Sequence, residues 1–183
     1  LLHHPQYRAK YAANLKRELP RIPFVGSSSR LRSTNGVLSE ENRLLSAVEA
    51  FWAFAEAGKK LAELHVNYDQ QPKYKLKFIE KAGEQLDWRV QKMKLSKDKT
   101  QIIYNHFLTL SSIPPEAFEY RLGNRSALEW VIDQYQVKND PRSGIVNDPN
   151  RADQPDYIVS LIQRVITVSL ETVNIINALP ELE

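Results

Sequence analysis

The spacing of apolar residues changes period twice along this 183-residue chain. Across residues 39–66, Leu44, Leu45, Val48, Phe51, Trp52, Ala55, Leu61, Ala62 and Leu64 recur at helical intervals, which predicts one long amphipathic helix. Ser39 is a suitable N-cap, and Glu40 and Glu41 complement the positive end of the helix dipole. At this spacing Phe51, Trp52 and Phe54 read as core side chains rather than a cofactor-stacking box. From Pro72 the period falls to two. Tyr74, Leu76 and Phe78 alternate with Lys73, Lys75 and Lys77, the signature of a strand with one wet face. A turn with Gly83 follows, then a second alternating run through Leu86, Trp88 and Val90, whose parity slips at Met93 and Leu95. A further turn at 96–99 leads to a third strand over 101–110.

The period then returns to 3.6. After a polar turn at Leu122, Gly123 and Asn124, a helix begins near Ser126, with Ala127, Leu128, Val131, Ile132 and Tyr135 on one stripe. Residues 138–150 form a polar loop closed by Asn147, Asp148, Pro149 and Asn150, and the apolar Ile145 and Val146 in its middle predict a loop pinned to the body. Asp153, Pro155 and Asp156 open a final helix carrying Ile158, Leu161, Ile162, Val165, Ser169, Thr172, Val173 and Ile176 at helical spacing. Its Ile, Val and Thr content favours strand locally, but some twenty residues without a turn signal favour helix. At the other end, residues 1–19 read as a helix with Tyr7, Tyr11 and Leu15 on one face, ended by Pro20 and Pro23. Phe24 and Val25 are placed to dock on the body, and residues 26–35 are a Ser-rich basic loop. The expected fold is α+β: long packed helices with an antiparallel sheet and hairpin region inserted between them. Helices 39–66 and 155–179 pack together, with the sheet of 73–121 beside them.

Hydrophobic content of 42% and charged content of 26% are ordinary for a globular domain. The chain has no Cys, which removes disulfides and thiolate zinc sites and fits a cytoplasmic setting. His3 and His4 are adjacent and cannot share a helix face as metal ligands do, so no metal site is expected. No uninterrupted apolar run reaches membrane-spanning length, and no membrane partner is expected. The first residue is not Met and no signal pattern precedes the opening helix, so the chain reads as a fragment of something longer. No Gly-rich phosphate loop, cofactor-binding loop or nucleophile elbow is present, and neither chemistry nor a cofactor is expected of these residues. Between Lys73 and Lys99 nine basic and four acidic residues make +5, leaving −2 for the remainder of a +3 chain. That block is the footprint expected for nucleic acid; its other reading is an ordinary solvated strand face. Lysines two apart on a strand stand about 6.8 Å apart, near the phosphate spacing along one nucleic-acid strand.

Three stretches carry a family resemblance. ALEWVIDQYQVKNDPRSGIVNDPNR, from Ala127 to Arg151, and YIVSLIQRVITVSLETVNIINALP, from Tyr157, resemble the C-terminal end of type ISP restriction-modification enzymes. LHHPQYRAKYAANLKRELPRIPFV, from Leu2, resembles the segment where the methyltransferase domain of those enzymes passes into target recognition. Residues 70–109 match only weakly. The resemblance implies a parent chain that is an ATP-dependent restriction endonuclease and DNA adenine methyltransferase. Within it, residues 1–25 would be a helical linker and 26–183 a target-recognition domain with its basic β region at about 70–121. Double-stranded DNA and the methyltransferase and translocase domains of the parent chain are then the expected partners.

On that reading Lys73, Lys75, Lys77, Arg89, Lys92 and Lys94 form one positive surface for DNA phosphates. Base readout needs donors and acceptors in the groove, and the first candidates are Gln91, Lys99, Gln101 and Asn105, beside the basic hairpin where the resemblance is weakest. Recognition surfaces must differ between enzymes with different targets, whereas scaffold can stay alike. The alternative readout loop is Lys138, Asn139, Arg142 and Asn147. The competing function is a non-catalytic interaction domain packing against other domains of a large helicase or methyltransferase.

Overall fold

The computed structural model describes residues 2–20 and 40–181. They fall into two compact units, Leu1–Glu63 with Asn174–Glu183, and Leu64–Val173. The expected Ser39 cap, the 26–35 loop, Pro23, Phe24 and Val25 lie outside the described residues, as does the expected boundary at 25/26.

The unit Leu64–Val173 contains a four-stranded antiparallel sheet of β1 (Lys77–Glu80), β2 (Lys94–Leu95), β3 (Gln101–Ile103) and β4 (Leu108–Ser111), in the order β1-β4-β3-β2. Directly opposed residues share a face. Phe78, Leu110, Ile102 and Leu95 therefore form one inward row. Ile102 and Leu110 are completely buried, joined in the core by Val90, Met93, Tyr104 and Leu108. Helices α3 (Ala127–Gln134) and α4 (Tyr157–Asn177) close the core with Leu128, Ile132, Ile158, Ile162 and Ile166. α4 is helical despite its β-branched residues, because its apolar stripe is buried along the sheet. Its hydroxyls find partners near at hand, Ser169 on the Val165 carbonyl at 2.7 Å and Ser160 on Asp156 at 2.9 Å. α4 is long and apolar enough, by length and composition alone, to cross a membrane, although Gln163, Arg164 and Glu171 interrupt its apolar run; here it is a core helix. α3 opens with a capping box, Ser126 Oγ accepting from the Glu129 N–H at 3.2 Å while the Ser126 N–H donates to Glu129 at 2.8 Å.

The strand expectations need correction. Residues 101–110 are not one strand. The chain reverses at Asn105, whose Oδ1 accepts from the N–H groups of Phe107 and Leu108 at 2.9 and 2.7 Å, so a side chain builds the turn that separates β3 from β4. Residues 86–90 are in no strand. The Gly83 turn (φ +83°) exists, but β1 pairs with β4, not with the run that follows it. Lys73 to Leu76 are extended yet outside the sheet, with Tyr74 and Leu76 packed on the core and the Tyr74 N–H donating to the Gln163 carbonyl at 3.2 Å.

In the other unit, the helix expected over 1–19 is two pieces, α1 (Pro5–Lys10) and a 3-10 turn at Asn14–Lys16. Pro5 starts α1 because proline disfavours helix in the residue before it, and His4 is extended (ψ 124°). Tyr7 is buried but Tyr11 is exposed. Helix α2 (Glu40–Val66) forms as expected, but its aromatic residues are not core: Val48 and Phe51 are exposed and Trp52 is 60% exposed. Apolar residues at 51 to 55 go all round the helix, so no one partner surface can cover them. Phe54 meets the His4 ring, centroids 5.8 Å apart. Ala53 and Ala57 share the lining of a cavity of about 370 Å³ with Ala178 and Leu179. In the Leu64–Val173 unit, the end of α2 meets α4 through His65 Nε2 and Thr172 Oγ1, hydrogen-bonded at 3.0 Å.

Candidate nucleic-acid interface

The outward face of the sheet is set by the same register. One row reads Lys77, Ser111, Gln101; the next reads Ile79, Thr109, Ile103, Lys94. Lys77 and Lys94 thus stand on opposite edges of one face, three strand spacings or about 14 Å apart across the sheet and one row apart along it. Ile79 and Ile103 between them are exposed.

The six lysine and arginine positions expected to form one positive surface divide. Lys75, Lys77, Lys92 and Lys94 are exposed and hold no carboxylate among the described residues. Lys73 instead pairs with Asp156 at 3.5 Å, and Arg89 pairs with Asp148. The hydroxyl of Ser160, with Lys73 beside it, holds the Asp156 carboxyl below the usual range.

The first cluster of expected base readers divides as well. Gln91 is exposed and Gln101 half-buried on the outward sheet face. Lys99 donates to Glu129 at 2.8 Å and lies over the Phe118 ring. That bond and the Ser126 N–H hold the Glu129 carboxyl down at about 2. Asn105 is committed on both sides of its amide. Its Oδ1 makes the β3–β4 turn, and its Nδ2 donates to the carbonyls of Asp87 and Arg89 at 2.7 and 3.0 Å.

Those two bonds belong to a larger brace. The extended segment 87–91 has no strand neighbour, so side chains meet its backbone groups. Tyr104 Oη donates to the Trp88 carbonyl at 2.7 Å. Asn150 takes both polar groups of Val90, accepting from its N–H and donating to its carbonyl, each at 2.8 Å. The Val137 N–H donates to the Gln91 carbonyl at 3.1 Å. Val90 is completely buried, where an unmade backbone hydrogen bond costs about 1–3 kcal/mol. Trp88 and Val90 alternate in sequence because both pack on the core without a sheet, whereas Leu86 is exposed. Asn150 was missed by sequence reasoning, which saw only a turn-former; no local signal links it to a segment sixty positions earlier.

Between Val137 and Asn150 the expected loop is a hairpin of β7 (Lys138–Asn139) and β8 (Val146–Asn147). It is not pinned by its apolar residues: Ile145 is 67% and Val146 58% exposed. The turn organises itself instead. The Asp140 carboxylate accepts from the Arg142 N–H and the Ser143 hydroxyl, each at 2.9 Å, and these bonds lower its pKa. The Asp140 N–H reaches the Ile145 carbonyl at 2.9 Å, and Gly144 supplies the left-handed residue (φ +70°). Lys138 pairs with Asp133 at 3.5 Å; the Arg142 guanidinium has no partner among the described residues.

An outward sheet face with unpaired lysines at its edges, beside a braced and exposed hairpin, agrees with what known proteins share with this chain. The family model of the Type ISP C-terminal specificity domain matches residues 1–161. Solved structures are similar as well. The Type ISP restriction-modification enzyme LlaBIII bound to DNA is 38% identical over 99% of this chain, with a TM-score of 0.74. A nuclease-deletion mutant of LlaGI in complex with a DNA substrate mimic is 40% identical over 100%, with a TM-score of 0.75. A DrdV–DNA complex is 32% identical over 98%, with a TM-score of 0.71. The match takes up only 10%, 15% and 17% of those three chains. No curated protein matches. With both the word order of its sequence and the path of its backbone shared with these enzymes, the chain belongs to the Type ISP C-terminal specificity domain family.

Proposed function

We propose that this chain is the DNA target-recognition module of a restriction-modification enzyme, non-catalytic in itself, which positions attached methyltransferase and nuclease-translocase parts on a duplex site in the cytoplasm. The observation that carries this reading, beyond the family, is the placement of Lys75, Lys77, Lys92 and Lys94, exposed and without carboxylate partners among the described residues. A cation already paired releases no counterion on binding; an unpaired one does, and so attracts phosphate with a salt-dependent affinity. Lys73 and Arg89 would have to leave Asp156 and Asp148 first, and are assigned a smaller share of the contact.

Duplex binding by the full chain, measured by fluorescence anisotropy across a salt series, tests this. Lys77→Ala with Lys94→Ala should weaken binding equally for every duplex sequence and lower the salt slope by about two, one per lost phosphate contact. Unchanged low-salt affinity would remove the lysine face from the interface. A second reading, an interaction domain, is favoured by the exposed Phe51 and Trp52 on α2, since clustered exposed aromatics mark protein interfaces.

A further inference from the structure

If the chain recognises DNA, some element must enter a groove, and the side chains it presents must be free to change partners. The brace around 87–91 excludes much of the first cluster. Asn105 cannot turn to a base without opening the β3–β4 turn and stranding the carbonyls of Asp87 and Arg89. Lys99 would have to abandon Glu129, which also caps α3.

The β7–β8 hairpin has the opposite properties. Every residue from 138 to 148 is exposed. Its root is fixed, by Asn150 on Val90, by Arg89 on Asp148 and by Val137 on Gln91. Its tip is shaped by Asp140 and Gly144 rather than by contact with the body. A rigid root and a self-organised tip present side chains with little ordering cost on binding. A two-stranded ribbon fits the major groove, which is about 12 Å wide.

Resting on the DNA-recognition reading, we propose that the β7–β8 hairpin inserts into the major groove and that Arg142 at its tip is the principal base-reading residue, selecting guanine. The guanidinium is a planar fork of donors, complementary to the O6 and N7 acceptors of guanine. It lies two residues past the Asp140 carboxylate, which is occupied by the Arg142 backbone N–H and the Ser143 hydroxyl rather than by the guanidinium. The register puts Asn147 beside Lys138 on one face of the ribbon and Asn139 beside Val146 on the other. Asn139 then reads an adjacent adenine, and exposed Ile145 and Val146 suit thymine methyl groups.

The test is selection from a randomised duplex library with the full 183-residue chain, unsubstituted and as Arg142→Lys, Arg142→Ala and Gln101→Ala. The unsubstituted chain should enrich a motif containing guanine. Both Arg142 variants should lose preference at one or two positions, about ten-fold in discrimination, while still retaining bulk duplex at low salt. Arg142→Lys keeps the charge and loses the fork, so it separates base reading from phosphate contact. Gln101→Ala should return the original motif. If Arg142→Lys keeps the motif, or Gln101→Ala loses it while the Arg142 variants do not, the hairpin is not the reading element, though DNA recognition stands. If the unsubstituted chain retains no duplex at all, the recognition reading falls and takes the hairpin assignment with it.

Discussion

Two long helices of this chain are written in similar language and have opposite surroundings. α4 places Ile158, Ile162 and Ile166 against the sheet, each at most 1% exposed. α2 carries Phe51 and Trp52, ring centroids 5.5 Å apart in an edge-to-face pair, both open to solvent. Helical periodicity reports that a face is apolar; it does not report that a partner is there. All five residues at 51–55 are apolar, Trp52 among them, which broadens the stripe of α2 into a girdle. α4 is buried all round over Ile158–Ile162, and further along Arg164 and Glu171 mark its more polar side. Cost on truncation should therefore separate the two helices cleanly.

The largest effect is expected inside. Ile162→Ala removes a completely buried side chain from the centre of the core, and should destabilise the chain by about 2–5 kcal/mol in denaturant unfolding. A loss under 1 kcal/mol would mean that α4 is not the keystone of the core.

A smaller and pH-dependent effect is expected where α3 is capped. Glu129→Ala removes half of the capping box and the partner of Lys99, costing about 1 kcal/mol at neutral pH. The folded carboxyl is held at about 2 against an ordinary 4.5. A depressed carboxyl stabilises the fold above its unfolded value and stops doing so once both states are protonated. The gap between the melting curves of the parent chain and the variant should close as pH falls from about 4.5 toward 2. A gap constant with pH would show that the carboxylate charge is not what the fold uses.

The smallest effect completes the comparison. Trp52→Ala on the exposed face of α2 should change stability by no more than about 0.5 kcal/mol, despite deleting the larger side chain. A loss comparable to that of Ile162→Ala, read in the same unfolding experiment, would place Trp52 in a packed interface and erase the contrast.

Local rules determined a good part of this protein. Period, capping and turn chemistry are properties of neighbouring residues. They were enough for one helix beginning near Ser126 and another opening after Pro155, for the Gly83 and Gly123 turns, and for the inward and outward assignment of Tyr74, Leu76, Lys75 and Lys77. The same rules failed where a residue's partner is remote. Alternation at 86–90 looked like a strand, but its hydrogen bonds go to Tyr104, Asn105 and Asn150. Lys73 and Arg89 sat in a basic block, but Asp156 and Asp148 take them out of it. Ile145 and Val146 looked like anchors, yet the turn of Asp140 and Gly144 supports itself and leaves them outside. A side chain's character is set by its own atoms and its spacing; whether a polar group is spent or free depends on what the folded chain brings to within about 3 Å of it. That pairing, decided only in the tertiary structure, separates the residues that brace this domain from those left to meet another molecule.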